Sequence, residues 1–338
     1  MVWPEIDYIY LPSGRTIDVC APHRMVTCGR CCLDFSYDLS DDDDQDFLDG
    51  EVDSEVFGYD FNSVVPRGVS VAQVAASRYG RPAPSASRPS NARNNKIISS
   101  DGESNVAEVA RLPKKTEPSG TVFASKFGQQ GRTPLPPGDL FPDGRCVRVL
   151  PPVRRFINRY DTSECLIYTD GACFDNGAVG ARGGCAFIFK PIYPNDQSGT
   201  VAFKLEDRGP DGQPYRHTSN RAELRAVIGA LRFRAWYVEG FKSVVIATDS
   251  TYVVNGATTW TRAWIKKGWR LSTGEPVKNR DLWEALLLDV EKLHDRGVGV
   301  RFWKIPRQHN HLADRAAKGA ASILRPTEKF TDIEGVPV

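Results

Sequence analysis

The sequence has no run approaching the ~18 consecutive apolar residues that a membrane span requires. That predicts a protein with no membrane partner. No Lys or Arg precedes Arg15, and the first ten residues, MVWPEIDYIY, carry acids. This fits neither a secretory signal nor an Arg-rich transit peptide, so the expected location is intracellular, in the nucleus, the cytoplasm or both. Cysteine is sparse: eight in 338 residues exclude a disulfide scaffold. Internal repeats are missing, and net charge is almost missing, +2 from 44 basic and 42 acidic residues. What is present is ordinary globular composition, 41% hydrophobic and 25% charged, over a length suited to about two domains.

The near-neutral total conceals a segregation. Residues 1–60 carry 15 acidic and 3 basic side chains, residues 61–150 carry 6 and 13, and residues 151–338 carry 21 and 28. Such asymmetry suits a nucleic-acid partner and an acidic arm, with a merely solubilising block as the alternative. Residues 1–65 mix aromatics with the run Asp41–Asp44 and read as a small acidic, Cys-containing module. Residues 66–118 are rich in Ser, Pro, Arg and Asn. They hold too little apolar surface to offset their ordering entropy and read as a disordered linker, so the N-terminal extension is expected to be partly disordered. Residues 119–160 contain TPLPPGDLFPDG and RVLPPVRRF, which predict an extended Pro-rich arm lying against the C-terminal half of the chain.

From residue 161 the pattern turns regular, up to a tail at 326–338. CLIYTD, GGCAFIFK, VAFKL, SVVIATD and VGVRFWKI predict five strands. Helical spacing predicts helices over Ser219–Val238, Tyr252–Lys267, Asp281–Asp295 and Leu312–Ser322. The order βββ-α-β-α-α-β-α implies an α/β fold: a five-stranded mixed sheet flanked by helices.

Three acids stand where acids are awkward. Asp170 and Asp249 end apolar strands, and Glu223 lies on the stripe of Val227, Ala230 and Leu231 that a helix normally buries. Asp314 opens the last helix. Singly, these can be turn acids or a helix-dipole acid. Together they converge on one end of one sheet, where carboxylates need cations, and oxygen ligands favour a hard ion such as Mg²⁺.

These residues belong to longer motifs: IYTDGAC with a following Asn-Gly, TSNRAEL, ATDSTYVVNGATTW, and H-N-x-x-A-D before an Ala-rich helix. The stretch W-x3-W-x4-W, with STGEPVKNRDLW after it, completes the set. Over roughly residues 163–325 the chain resembles type 1 ribonuclease H, and its whole arrangement is similar to ribonuclease H domain proteins of filamentous fungi. The resemblance implies the ribonuclease H-like fold and endonucleolytic hydrolysis of the RNA strand of RNA/DNA hybrids. Asp170, Glu223, Asp249 and Asp314 then fall where the family holds two Mg²⁺ ions, with Mn²⁺ able to substitute, and the products carry 5′-phosphate and 3′-hydroxyl ends.

The same resemblance assigns the substrate contacts. Asn176, Ser219, Asn220 and the backbone near Cys173 fall where the family reads the RNA strand through its 2′-hydroxyls. Ser219 departs from the usual Asn, and capping of a helix that begins at Asn220 is its other reading. Arg216, Thr218 and Asn279 fall at the pocket for a DNA phosphate, and Tyr252 and Trp260 at the aromatic positions that pack on deoxyribose. Trp264, Lys266, Lys267, Trp269 and Arg270 form a basic aromatic ridge, with plain packing as the alternative for the two tryptophans. The family's mobile-loop His has no clean counterpart in PRQHNHLAD: His309, His311 or neither fills that role.

Cys20, His23, Cys28 and Cys31 have C-x2-H-x4-C-x2-C spacing and are candidates for a structural Zn²⁺, the alternative being reduced cysteines in a small apolar patch. Cys146, Cys165, Cys173 and Cys185 read as reduced and mostly buried. The leading expectation is a monomeric nuclease whose N-terminal module has an unidentified protein partner. The alternative is a catalytically weak nucleic-acid-binding protein that retains the fold. A DEDD-type exonuclease is set aside, because Asp170-Gly171-Ala172 lacks the D-x-E that it needs.

Overall fold

The computed structural model describes residues 6–10, 16–28, 31, 33–35, 116–129, 134–149, 152–193, 196, 198–333 and 335–337. Residues 36–65 of the expected module and 66–115 of the expected linker lie outside the described residues. No helix among the described residues is long and apolar enough to cross a membrane.

Four short strands come first: β1 (Ile6–Tyr10), β2 (Thr16–Cys20), β3 (Met25–Cys28) and β4 (Leu33–Asp34). β1 pairs with β2, and β3 with β4, both antiparallel. The Pro-rich arm carries more structure than its composition predicted. It contains β5 (Ser125–Lys126), the helical turn α1 (Pro137–Leu140), β6 (Asp143–Cys146) and β7 (Val153–Ile157). Then come β8 (Glu164–Phe174), β9 (Arg182–Ile188), β10 (Thr200–Lys204), α2 (Ser219–Arg232) and β11 (Ser243–Thr248). The next stretch is continuously helical: α3 (Thr251–Asn255), a π-helical turn at Gly256–Trp260, and α4 (Thr261–Lys266). The chain continues through α5 (Arg280–Asp295), β12 (Gly299–Lys304), α6 (His311–Ser322) and β13 (Gly335–Pro337).

The five strands read from the apolar runs form the mixed sheet, and β5, β6 and β7 extend it to eight. The order is β10-β9-β8-β11-β12-β5, with β7 beside the start of β8 and β6 beside β7. β9 runs antiparallel to both β8 and β10, while β11 is parallel to both β8 and β12. Alternation splits β11 between two cores. Val244 and Ile246 join the main core, which α2 and α5 cover. Val245 and Ala247 face Leu140 and Phe141 of the arm. The arm therefore supplies the second apolar layer, which is why a continuous apolar run such as SVVIA is buried on both faces.

Two helices depart from their apolar spacing. α2 stops at Arg232 rather than Val238, because Trp236 folds back and its Nε1 donates to Ala230 O at 3.2 Å. That carbonyl is the one Arg234 N–H would need to continue the helix. Within the expected helix 252–267, Thr258 Oγ1 donates to Val254 O at 2.7 Å at the π turn, and Gly256 lies against the Trp283 ring.

Buried charges lock the helices. Arg221 forms two bonds to Asp281, at 2.9 and 2.5 Å, tying α2 to α5. Arg225 grips Glu206 side-on, its Nε donating to Oε2 at 2.9 Å and its Nη2 to Oε1 at 2.6 Å. Glu239, fully buried, accepts from Arg155 at 2.7 and 2.8 Å and from Arg234 at 2.5 Å. Glu239→Ala strips two buried guanidinium groups of their main partner and should cost about 3–5 kcal/mol of unfolding free energy, measured by urea titration. The tail beyond Arg325 is also anchored: Thr331 O accepts from Arg225, and β13 pairs with β3.

Candidate active site

Register builds the acidic site. Tyr168 of β8 is paired with Ala247 of β11 in a parallel ladder, so Asp170 and Asp249, each two residues further on, emerge side by side on one face. Asp170 sits within an 11-residue strand, well inside it rather than at its end, and is only 2% exposed. α2 delivers the third acid. Gly171 lets the α2 backbone press directly on β8, and Glu223 N lies where a Cβ on Gly171 would stand. Carboxylate oxygens of Asp170, Glu223 and Asp249 lie within 4.8 Å of one another.

This crowding is costly without a cation. Burial, then the Asp249 carboxylate, push the Asp170 carboxyl up to about 7. Burial, then Asp170 and Asp249, push Glu223 well above the usual range, although Thr248 Oγ1 lies 3.5 Å from its Oε2. A site of oxygen donors only, whose members repel, fits a hard divalent ion.

Asp314 stands outside this trio. Lys318 donates to one of its oxygens at 2.7 Å, and Arg307 approaches the other at 3.6 Å. Arg307 also lies 3.3 Å from Asp249, so one exposed guanidinium bridges the trio and Asp314. In the compressed loop, His309 closes a 3₁₀ turn, and its ring has no hydrogen-bond partner among the described residues. The His311 ring is engaged by Gln308 O at 3.1 Å.

Sequence reasoning missed Arg307 and Asn310. Asn310 is 1% exposed, and its Nδ2 donates to Thr169 O at 3.0 Å and to Asp249 Oδ1 at 3.2 Å. It pins the Asp249 carboxylate to the neighbouring strand. The available signal was an amide fixed between two histidines, three residues before Ala313. Asn310→Ala should lower the cleavage rate roughly 10–100-fold and raise the metal concentration for half-maximal rate, with KM for substrate nearly unchanged, in a steady-state titration of metal and substrate.

The substrate-side residues fall in two groups. Around the start of α2, Thr218 rather than Ser219 is the cap: its Oγ1 accepts from Arg221 N at 3.2 Å, and the helix begins at Ser219. Asn176 Oδ1 accepts from Ser219 N at 3.0 Å, which leaves the amide NH₂ of this exposed side chain free to donate. Asn220 and Arg216 are exposed, and Cys173 is half-buried, its Sγ 3.5 Å from Phe174 O.

The second group surrounds α3. Tyr252 OH accepts from Asn279 Nδ2 at 3.3 Å and Trp283 Nε1 at 3.1 Å. Its ring meets Trp260 edge-on at 6.1 Å, and Trp260 keeps 37% of its surface exposed. Trp264 and Trp269 are 9% exposed and stack into the core, so the packing reading describes them. Tyr252, Trp260, Trp264, Lys267, Arg270 and Lys278 line an open cleft of about 450 Å³.

Comparison with known proteins converges on the same segment. The family model described as RNase H matches residues 162–322. The ribonuclease H of Treponema pallidum is 37% identical over 161 residues, which cover 46% of this chain and 89% of that protein. The ribonuclease H of Hahella chejuensis is 43% identical over 153 residues, 45% of this chain and 88% of that protein. Human ribonuclease H1 is 31% identical over 179 residues, 52% of this chain and 56% of that protein. With three carboxylates gathered inside the matched segment, the chain belongs to the ribonuclease H family, the metal-dependent endonucleases that cut the RNA strand of RNA/DNA hybrids.

Proposed function

We propose that Asp170, Glu223 and Asp249 hold Mg²⁺ and that Asp314 completes the site from α6. The observation that carries this reading is the meeting of three carboxylates within 4.8 Å of one another, in a chain of this family. Bound Mg²⁺ would lower the pKa of the attacking water and stabilise the departing 3′ oxygen, leaving 5′-phosphate and 3′-hydroxyl ends. Asp170, on the central strand, is the rigid ligand. Asp249 is held in aim by Asn310. Glu223 is set by the packing of α2 on Gly171. Arg307, near both Asp249 and Asp314, offsets part of the negative charge and so reduces the repulsion of an incoming phosphate.

Strand discrimination rests on the two surface groups. Asn176, Ser219 and Asn220, with the backbone near Cys173, present short polar groups to 2′-hydroxyls. Tyr252 and Trp260 offer flat apolar surface, where a sugar without a 2′-hydroxyl packs closest. Arg216, Thr218 and Asn279 offer a guanidinium, a hydroxyl and an amide to a phosphate. The test is cleavage with Mg²⁺ of one RNA sequence presented as single strand, RNA duplex and RNA/DNA hybrid. Cutting confined to the hybrid, with 5′-phosphate products, is the expected result. Equal cutting of the single strand would overturn the assignment of the two surfaces.

A further inference from the structure

The N-terminal strands contain a second cluster that the nuclease chemistry does not use. We infer that Cys20, His23, Cys28 and Cys31 form a structural zinc site that fastens β2 and β3, and through them β13, to the catalytic domain.

The donor geometry is tetrahedral in scale. One ligand atom from each of the four residues lies within 4.8 Å of the others. His23 Nδ1 is 3.5 Å from Cys28 Sγ and 3.3 Å from Cys31 Sγ. A tetrahedral ion with Zn–S near 2.3 Å and Zn–N near 2.0–2.1 Å has S···N edges of about 3.6 Å. The imidazole is thus already at ligand spacing from two sulfurs.

The backbone is shaped around these atoms. Cys20 ends β2 and Cys28 ends β3. Between them Arg24 takes a positive φ of 51° and its N–H donates to Cys20 O at 2.7 Å, closing a turn that carries His23. Cys31 N–H donates to Cys28 Sγ at 3.4 Å, which holds Cys31 beside the Cys28 sulfur. A disulfide would consume only two of the three thiols and leave the imidazole without a role, whereas a zinc ion uses all four donors.

The local core needs such a staple. It consists of a few side chains, Ile17, Val19, Val26, Leu33 and Phe35 with the cysteines. A unit this small does not fold on apolar burial alone. Its attachments radiate from the cluster. Cys28 is paired with Gly335 of β13. Leu33 O accepts from Arg234 at 3.3 Å, and Asp34 accepts from the fully buried Arg155 at 3.2 Å. The ion would therefore sit at the junction of β3, β13 and the Arg155–Glu239–Arg234 network.

The test uses the full chain, purified under reducing conditions without a metal-affinity step, and reads metal content and spectra rather than cleavage. Elemental analysis should find about one zinc per chain. Substitution with Co²⁺ should produce thiolate-to-cobalt charge transfer and tetrahedral ligand-field bands. His23→Ala should lose the zinc and expose residues 6–35 to limited proteolysis, while His23→Cys should keep both the zinc and the protection. Wild-type chain without bound zinc, a Co²⁺ spectrum lacking thiolate bands, or unchanged zinc in both His23→Ala and Cys28→Ser would each overturn the assignment. None of these readouts depends on the carboxylate site, so loss of hybrid cleavage would leave this result intact, and the reverse.

Discussion

An Asp170→Asn chain should cut RNA/DNA hybrid at least ~10³-fold more slowly than wild type in Mg²⁺, yet be the more heat-stable of the two in chelator at pH 7. The two effects share a cause. Asp170 is buried beside Asp249 and near Asp314, and its carboxyl is pushed up to about 7. In the unfolded chain the same carboxyl titrates near 3.9. Between those values the folded state holds a proton that the unfolded state has released. Stability from this group is thus full below the unfolded value and is lost as pH rises towards 7, by up to ~1.4 kcal/mol per pH unit. Glu223, shifted in the same direction, adds to the loss. Asn at position 170 removes the group and relieves its neighbour. Melting curves in chelator from pH 4 to 8 should fall more steeply for wild type than for the variant. Added Mg²⁺ should close the gap by raising wild type alone. Equal slopes in chelator, or full activity in the variant, would contradict the assigned role of Asp170.

Gly171→Ala should damage both stability and rate, through a single methyl group. A Cβ at this position would lie 2.1 Å from Glu223 N and 2.3 Å from Ala222 C. Both atoms are backbone, so no side chain can swing away. β8 and α2 must part by roughly 1 Å, which should cost at least the ~1–3 kcal/mol typical of an overpacked core. The same shift carries Glu223 away from Asp170 and Asp249, and a displacement of this size costs on the order of 10²-fold in rate. Gly138→Ala is the control, since nothing lies within 4 Å of its Cβ position. Urea unfolding and single-turnover cleavage should separate the two variants clearly.

The strands and the acids on them were readable because their signals are local. An apolar run ending in Asp states both a strand and an anomaly within six residues, as at Asp170 and Asp249. The zinc candidates were readable by spacing alone. The arm was readable as a segment lying against the C-terminal half, but its strands were not: β5 pairs with β12 and β7 with β8, and neither segment shows alternation, because partners supplied by distant sequence define it. The end of α2 depends on Trp236 turning its indole back onto Ala230, which no helical spacing reveals. Arg307 and Asn310 lie in a polar loop where any residue looks ordinary. Their roles come from the placement of β8 and β11 beneath them.

The pairing of β3 with β13 bears on the order of synthesis. Gly335 is made long after Cys28, yet the two face each other in one ladder. While the intervening chain emerges, one edge of β3 has no strand to pair with, and an unpaired edge invites association with other chains. The four donors of the proposed zinc site lie within one short stretch of sequence, Cys20 to Cys31, so ion binding there would be a local event soon after that stretch leaves the ribosome. On this view β13 arrives at a site that has already been set, and a ribosome that stalls before residue 335 would release a chain with its eight-stranded sheet made and one edge of β3 uncovered.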